Sequence, residues 1–82
     1  MSSHEITAPI PGTFYSRESP GAPDYITVGQ QVAVGDTLGL IEVMKMFTPL
    51  LATHPGTVEE ILVDNDDLVE IGQVLIRLGV AP

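Results

Sequence analysis

The chain has no cysteine and no tryptophan. Without cysteine there is no disulfide, no thiolate metal site and no Cys nucleophile, and a reducing compartment is compatible. Aromatic residues make up only 5% of the sequence, so its 44% hydrophobic content predicts a core of Val, Ile and Leu. Positive charge is nearly absent. Arg17, Lys45 and Arg77 stand against eleven carboxylates, a formal net charge of −8. Phosphate neutralisation needs cations, so this balance argues against nucleic acid as a partner. An anionic membrane surface would repel the chain as well. No apolar run is long enough to span a bilayer, and the N-terminus lacks the charged-then-apolar pattern of a signal peptide.

What is present points to strands. Eighty-two residues allow one small domain, read as 1–82 with a folded core over 5–79. Eight Gly and seven Pro interrupt short β-branched and aliphatic runs, and no window carries a capped helical stripe. Strands are predicted at Glu5–Ala8, Thr13–Tyr15, Thr37–Glu42, Phe47–Leu51, Thr57–Leu62 and Val74–Leu78, with very short ones around Ile26–Val28, Val32 and Leu68–Val69. Met1–His4 and Ala81–Pro82 read as loose ends.

The sequence also repeats. Pro11-Gly12-Thr13-Phe14 returns as Pro55-Gly56-Thr57-Val58, 44 positions later, and Val32–Leu38 returns as Val69–Leu75, 37 positions later. The two offsets differ by seven, so the first half carries seven extra residues between Phe14 and Val32. The turn-rich stretch Ser16-Arg17-Glu18-Ser19-Pro20-Gly21-Ala22-Pro23-Asp24 is the natural place for them. Such duplication predicts two similar β-units about a pseudo-twofold axis, sharing one core because neither buries a face alone. The fold class is therefore all-β, a flattened barrel or sandwich of two similar four-stranded halves. Gly12, Gly35, Gly56 and Gly72 fall at matching turns, where positive φ or close backbone approach calls for glycine.

The remaining chemistry is sparse. Asp64-Asn65-Asp66-Asp67 opens like a calcium loop, but Leu68 occupies a ligand position and Val69 the glycine position. His4 and His54 have no second histidine or cysteine in sequence to support a metal site. No Gly-x-Ser-x-Gly or comparable arrangement organises a nucleophile. Lys45 is the only lysine. It lies between apolar runs ending at Val43 and resuming at Met46, so Met44-Lys45 reads as a two-residue hairpin turn. Such turns favour Asn-Gly, because both central residues take positive φ. Met-Lys is poor on that rule, and a poor turn residue at a tip marks function overriding propensity.

Glu42-Val43-Met44-Lys45-Met46 resembles the biotin attachment motif of the biotin carboxyl carrier family, usually Ala-Met-Lys-Met. Ala8–Tyr15, Val28–Leu38 and His54–Val58 resemble the family's opening strand, its central Gly-Asp segment and the start of its second half. Ser16–Asp24 resembles the thumb of the carrier subunit of multisubunit acetyl-CoA carboxylases. The resemblance implies a barrel-sandwich hybrid fold with covalent biotin on Lys45, and a ligase that reads Glu42, Val43, Met44 and Met46. It further implies a non-catalytic, cytoplasmic carrier in lipid metabolism. Such a carrier moves carboxylate from biotin carboxylase to a carboxyltransferase, turning acetyl-CoA into malonyl-CoA. Val43 departs from the motif's alanine, and Arg17 stands where members often carry a small polar thumb residue. Members often add a long N-terminal region and a Pro/Ala-rich linker, so this sequence reads as an excised domain or a compact carrier. The alternatives are a lipoyl carrier of a 2-oxo acid dehydrogenase-type complex, whose motif is typically Asp-Lys-Ala, and an unmodified β-sandwich interaction module.

Overall fold

A computed structural model describes residues 2–80. Eight strands follow in order: β1 (Ser2–Thr7), β2 (Gly12–Tyr15), β3 (Gln31–Val32), β4 (Thr37–Val43), β5 (Met46–Leu51), β6 (Gly56–Ile61), β7 (Leu68–Val69) and β8 (Val74–Val80). They form two antiparallel four-stranded sheets, ordered β1-β8-β6-β3 and β5-β4-β2-β7. The body is flattened, with extents of 40 × 27 × 19 Å.

The sequence repeat maps onto this order strand by strand. β1 matches β5, β2 matches β6, β3 matches β7 and β4 matches β8. Each sheet therefore takes two strands from each half, and the halves interlock by exchange rather than stacking as separate units. Burial obeys the same symmetry. Ile6 and Leu50, Ala8 and Ala52, Phe14 and Val58, Ile26 and Val63, Val32 and Val69, Leu38 and Leu75, and Ile41 and Leu78 are buried at equivalent positions. One equivalence is unequal. Ile76 corresponds to Gly39, and Val58 to Phe14. A Cβ on Gly39 would stand 2.5 Å from the Phe14 ring. The ring thus fills in one half the volume that Ile76 fills in the other. The core is not purely aliphatic: Phe14, 1% exposed, is among its largest members.

Two further expectations are corrected. Ser2–His4 are not a loose end, since β1 pairs through Ser2↔Val80, Ser3↔Gly79 and His4↔Leu78. β8 supplies a long partner, and ladder hydrogen bonds need no apolar pattern from Ser-Ser-His. Met1, Ala81 and Pro82 lie outside the described residues. Ile26–Val28 form no strand. Ile26 plugs the core from irregular backbone, and the exchange with β6 occurs one step later, through Gly29 N to Val58 O and Val58 N to Gln30 O. Gly35 and Gly72 take positive φ as expected. Gly12 and Gly56 answer the other need, close approach: an added Cβ would strike the carbonyls of Glu42 and Gly79, themselves equivalent positions.

The Phe14–Gly39 exchange of volume is testable by urea unfolding. Phe14→Val leaves a cavity worth about 2–3 kcal/mol, and Gly39→Ile overpacks by about 1–3 kcal/mol or more. The double variant copies the other half and should recover more than about 1 kcal/mol of the summed losses. Simple additivity of the two losses would show that the ring and the glycine are not exchanging volume.

Candidate functional site

β4 and β5 run antiparallel down to the pair Val43↔Met46, leaving Met44 and Lys45 as the whole turn. Both have positive φ, 51° and 66°, the pattern of the tight hairpin turn that matches strand twist. Neither is glycine or asparagine, so each Cβ crowds its own carbonyl at about 1–2 kcal/mol per residue. Among the described residues only Asp66 shares this state without being glycine. The flanking methionines are not packed inside. Met44 is 90% exposed and Met46 is 73% exposed. Lys45 is exposed and makes no ion pair among the described residues.

The outer face of the second sheet leads up to this tip. Phe14 and Ile41 point inward, so their neighbours Tyr15, Leu40, Thr13 and Glu42 point outward. Phe47 sits opposite Glu42 across the hairpin, and its ring lies 6.0 Å from that of Tyr15. The Tyr15 hydroxyl donates to the Glu42 carboxylate at 3.0 Å. That bond, helped by partial desolvation and by the charges of Glu42 and Asp66, raises the Tyr15 pKa above the usual phenol value.

The Ser16–Asp24 insertion folds over the same face. Its base is closed by Tyr25 N donating to Ser16 O and by an Arg17–Asp24 ion pair at 3.0 Å. Asn65 anchors it, accepting from the Ser16 backbone N–H at 2.9 Å. The acidic run Asp64–Asp67 is thus a turn that braces the insertion; the Asp64 N–H donates to the Asp67 side chain. Between the insertion and the hairpin lies a cleft of about 460 Å³, walled by Tyr15, Arg17, Pro20, Leu40, Phe47 and Asp66.

The structure therefore gathers Glu42, Val43, Met44, Lys45 and Met46 at one tip, with Ser16–Asp24 beside the neighbouring strands. Arg17 does not stand free; Asp24 holds it. Sequence reasoning missed Tyr15, Phe47, Asn65 and Asp66. Only Phe47, an aromatic directly after the motif, offered a signal. His4 and His54, fifty positions apart, stack at 3.5 Å between ring centroids. No group of three or more His, Cys, Asp or Glu able to hold a metal occurs among the described residues. No helix there is long and apolar enough to cross a membrane.

Fold and tip together define a β-scaffold that presents one lysine. Comparison with known proteins narrows that class. A family model described as "Biotin-requiring enzyme" matches residues 4–78. The chain belongs to that family. It is 41% identical over 76 residues to the biotin carboxyl carrier protein of acetyl-CoA carboxylase from Haemophilus influenzae, covering 93% of this chain and 49% of that one. The protein of the same name from Streptococcus pyogenes is 40% identical over 73 residues, covering 89% of this chain and 44% of its own length. The chain spans about half the length of the curated relatives it matches. Among solved structures, the Kluyveromyces lactis urea carboxylase matches with a TM-score of 0.78 at 28% identity, over 96% of this chain and 6% of that one.

The strain at the tip is measurable. Replacing Met44-Lys45 with Asn-Gly should raise stability by about 1–2 kcal/mol in chemical unfolding, since both new residues accept positive φ at lower cost. Unchanged or lower stability would mean that the tip is held by contacts rather than strained.

Proposed function

We propose that the chain is a single biotinyl-attachment domain, 1–82, acting as a non-catalytic carrier in a biotin-dependent carboxylase. The observation that carries this reading is the tip: a lone lysine, unpaired among the described residues, on a strained turn between two exposed methionines. Biotin would be held by an amide on Lys45 Nζ. The exposed amine fits acylation, and the stiff sheet beneath keeps the tip projecting. When bound, biotin supplies a ureido nitrogen that accepts and releases a carboxyl group. The chain itself supplies no acid or base to that chemistry. Tethering replaces free diffusion with a local concentration set by the arm.

The relatives' names support acetyl-CoA carboxylase as the enzyme. Its partners would be a biotin carboxylase and a carboxyltransferase, and its compartment the cytoplasm. A biotin protein ligase would read Glu42, Val43, Met44 and Met46. The Ser16–Asp24 thumb would shield the biotin or dock a partner enzyme. The net charge of −8 supports a carrier with neither nucleic acid nor a membrane as partner.

Intact mass after treatment with ligase and biotin tests the reading. One biotinyl increment on the wild type and none on Lys45→Arg, with an unchanged fold, is the expected result. A lipoyl increment, or none, would turn the assignment to the alternatives.

Replacing Ser16–Asp24 with a short turn should leave Ile26 buried and Tm little changed. The insertion's ion pair is exposed, and such pairs contribute at most about 1 kcal/mol. Loop length itself weighs little. Carboxylase turnover with the shortened carrier should fall; unimpaired turnover with both partner enzymes would show the insertion to be idle.

A further inference from the structure

We propose that Tyr15 is a positioning residue for the attachment lysine: its hydroxyl ties the Glu42 carboxylate to the outer face of the second sheet and so keeps it from pairing with Lys45. The proposal rests on the reading that Lys45 is the acylated residue.

The sequence creates the problem that Tyr15 solves. Glu42, near the end of β4, precedes the only lysine by three residues, and that lysine is the second residue of the two-residue turn. Opposite charges on flexible side chains three residues apart in one hairpin are able to pair. An amine attacks a carbonyl only in its neutral form, and a carboxylate beside it favours the ammonium. A free Glu42 would therefore slow acylation of Lys45. In the structure Glu42 is committed elsewhere, accepting from Tyr15 Oη at 3.0 Å, while Lys45 makes no ion pair among the described residues.

The scaffold itself does not need this bond. Tyr15 corresponds through the repeat to Glu59, and Glu42 to Gly79. There too the side chain from the inner strand reaches across to the neighbouring strand, but it lies over bare glycine backbone. The hydroxyl–carboxylate pair occurs only in the half that carries Lys45. Its surroundings leave Glu42 few other partners. Thr13 on β2 and Phe47 on β5 flank it in the same row and carry no charge. Asp66, before β7, acts through its charge on the Tyr15 hydroxyl and, being a carboxylate, offers Glu42 no ion-pair partner. Glu18 and Arg17 line the neighbouring cleft, and Arg17 is paired with Asp24. The Tyr15 ring is braced by Phe47.

Because Lys45 is the only lysine, labelling with carbon-13 lysine gives one ε-methylene signal to follow. In the wild type that signal should stay flat through the acid range in which carboxylates titrate. In Tyr15→Phe it should acquire an inflection there, as Glu42 comes to rest on Lys45, and in Tyr15→Phe with Glu42→Gln the inflection should vanish. With ligase, Tyr15→Phe should be modified severalfold more slowly near neutral pH and regain the wild-type rate at high pH or high salt, where the pair is broken or screened. A flat signal in Tyr15→Phe, an inflection that survives Glu42→Gln, or a rate lowered equally at every pH would overturn the proposal. If ligase fails to modify even the wild type, the attachment reading falls, while the signal still decides what Tyr15 does to Glu42.

Discussion

Neither half of this chain owns a sheet, and everything else depends on that. Each half contributes two edge-side and two central strands, but they are dealt alternately, so β1 and β3 lie with β6 and β8 while β5 and β7 lie with β2 and β4. A four-stranded unit of roughly forty residues cannot bury an apolar face by itself. Exchange removes the question, because no face exists until both halves are in place. The buried positions then come in equivalent pairs, from Ile6 with Leu50 to Ile41 with Leu78. The closest backbone crossings also come in a pair, at Gly12 over Glu42 and Gly56 over Gly79. Stiffness at the Lys45 tip follows from this, since β4 is a central strand between β5 and β2.

The fold shows where symmetry was kept and where it was given up. Inside, it was kept in volume rather than identity, with Phe14 and Gly39 standing where Val58 and Ile76 stand. Outside, it was abandoned. The outer face of the first sheet carries Arg77 between Glu5 and Glu60, an ordinary solvated cluster. The equivalent face of the second sheet carries Tyr15, Leu40 and Phe47, roofed in part by Ser16–Asp24. A fold built from two similar halves needs no aromatic exterior on one of them, so that face sets the second sheet apart from the first.

Much of this was legible in the sequence. The repeat, with its matching glycines, gave the strand positions to within a few residues, and the seven-residue offset located the insertion. The hairpin with Lys45 at its tip was legible because apolar runs stop and resume around two residues. What could not be read was pairing at long range. Ser2, Ser3 and His4 of β1 pair with residues of β8 more than seventy positions away, and nothing in Ser2-Ser3-His4 announces it. Ile26–Val28 has strand composition, yet its apolar residue serves as a plug, which composition does not distinguish from a strand. Phe14 reads as one aromatic among few, and only its contact with Gly39 reveals it as a packing partner.

At the site the same divide holds. The lysine at the tip is a local feature and was visible; the contacts around it are not local and were hidden. The bond from Tyr15 to Glu42 joins residues 27 apart, and the bond from Asn65 to Ser16 joins residues 49 apart. Both act on segments that local pattern had already singled out. Left-handed backbone at Met44 and Lys45 belongs to the same account. A turn of Asn-Gly would fold more easily, but it has no amine. The chain instead holds a lysine in a conformation that lysine disfavours, and it does so at the end of a hairpin whose strand β4 is paired on both sides, with β5 and with β2. At about 1–2 kcal/mol for each of its two residues, the strain at the tip is a sizeable share of a small domain's stability, and the contacts of the exchanged core have to offset it.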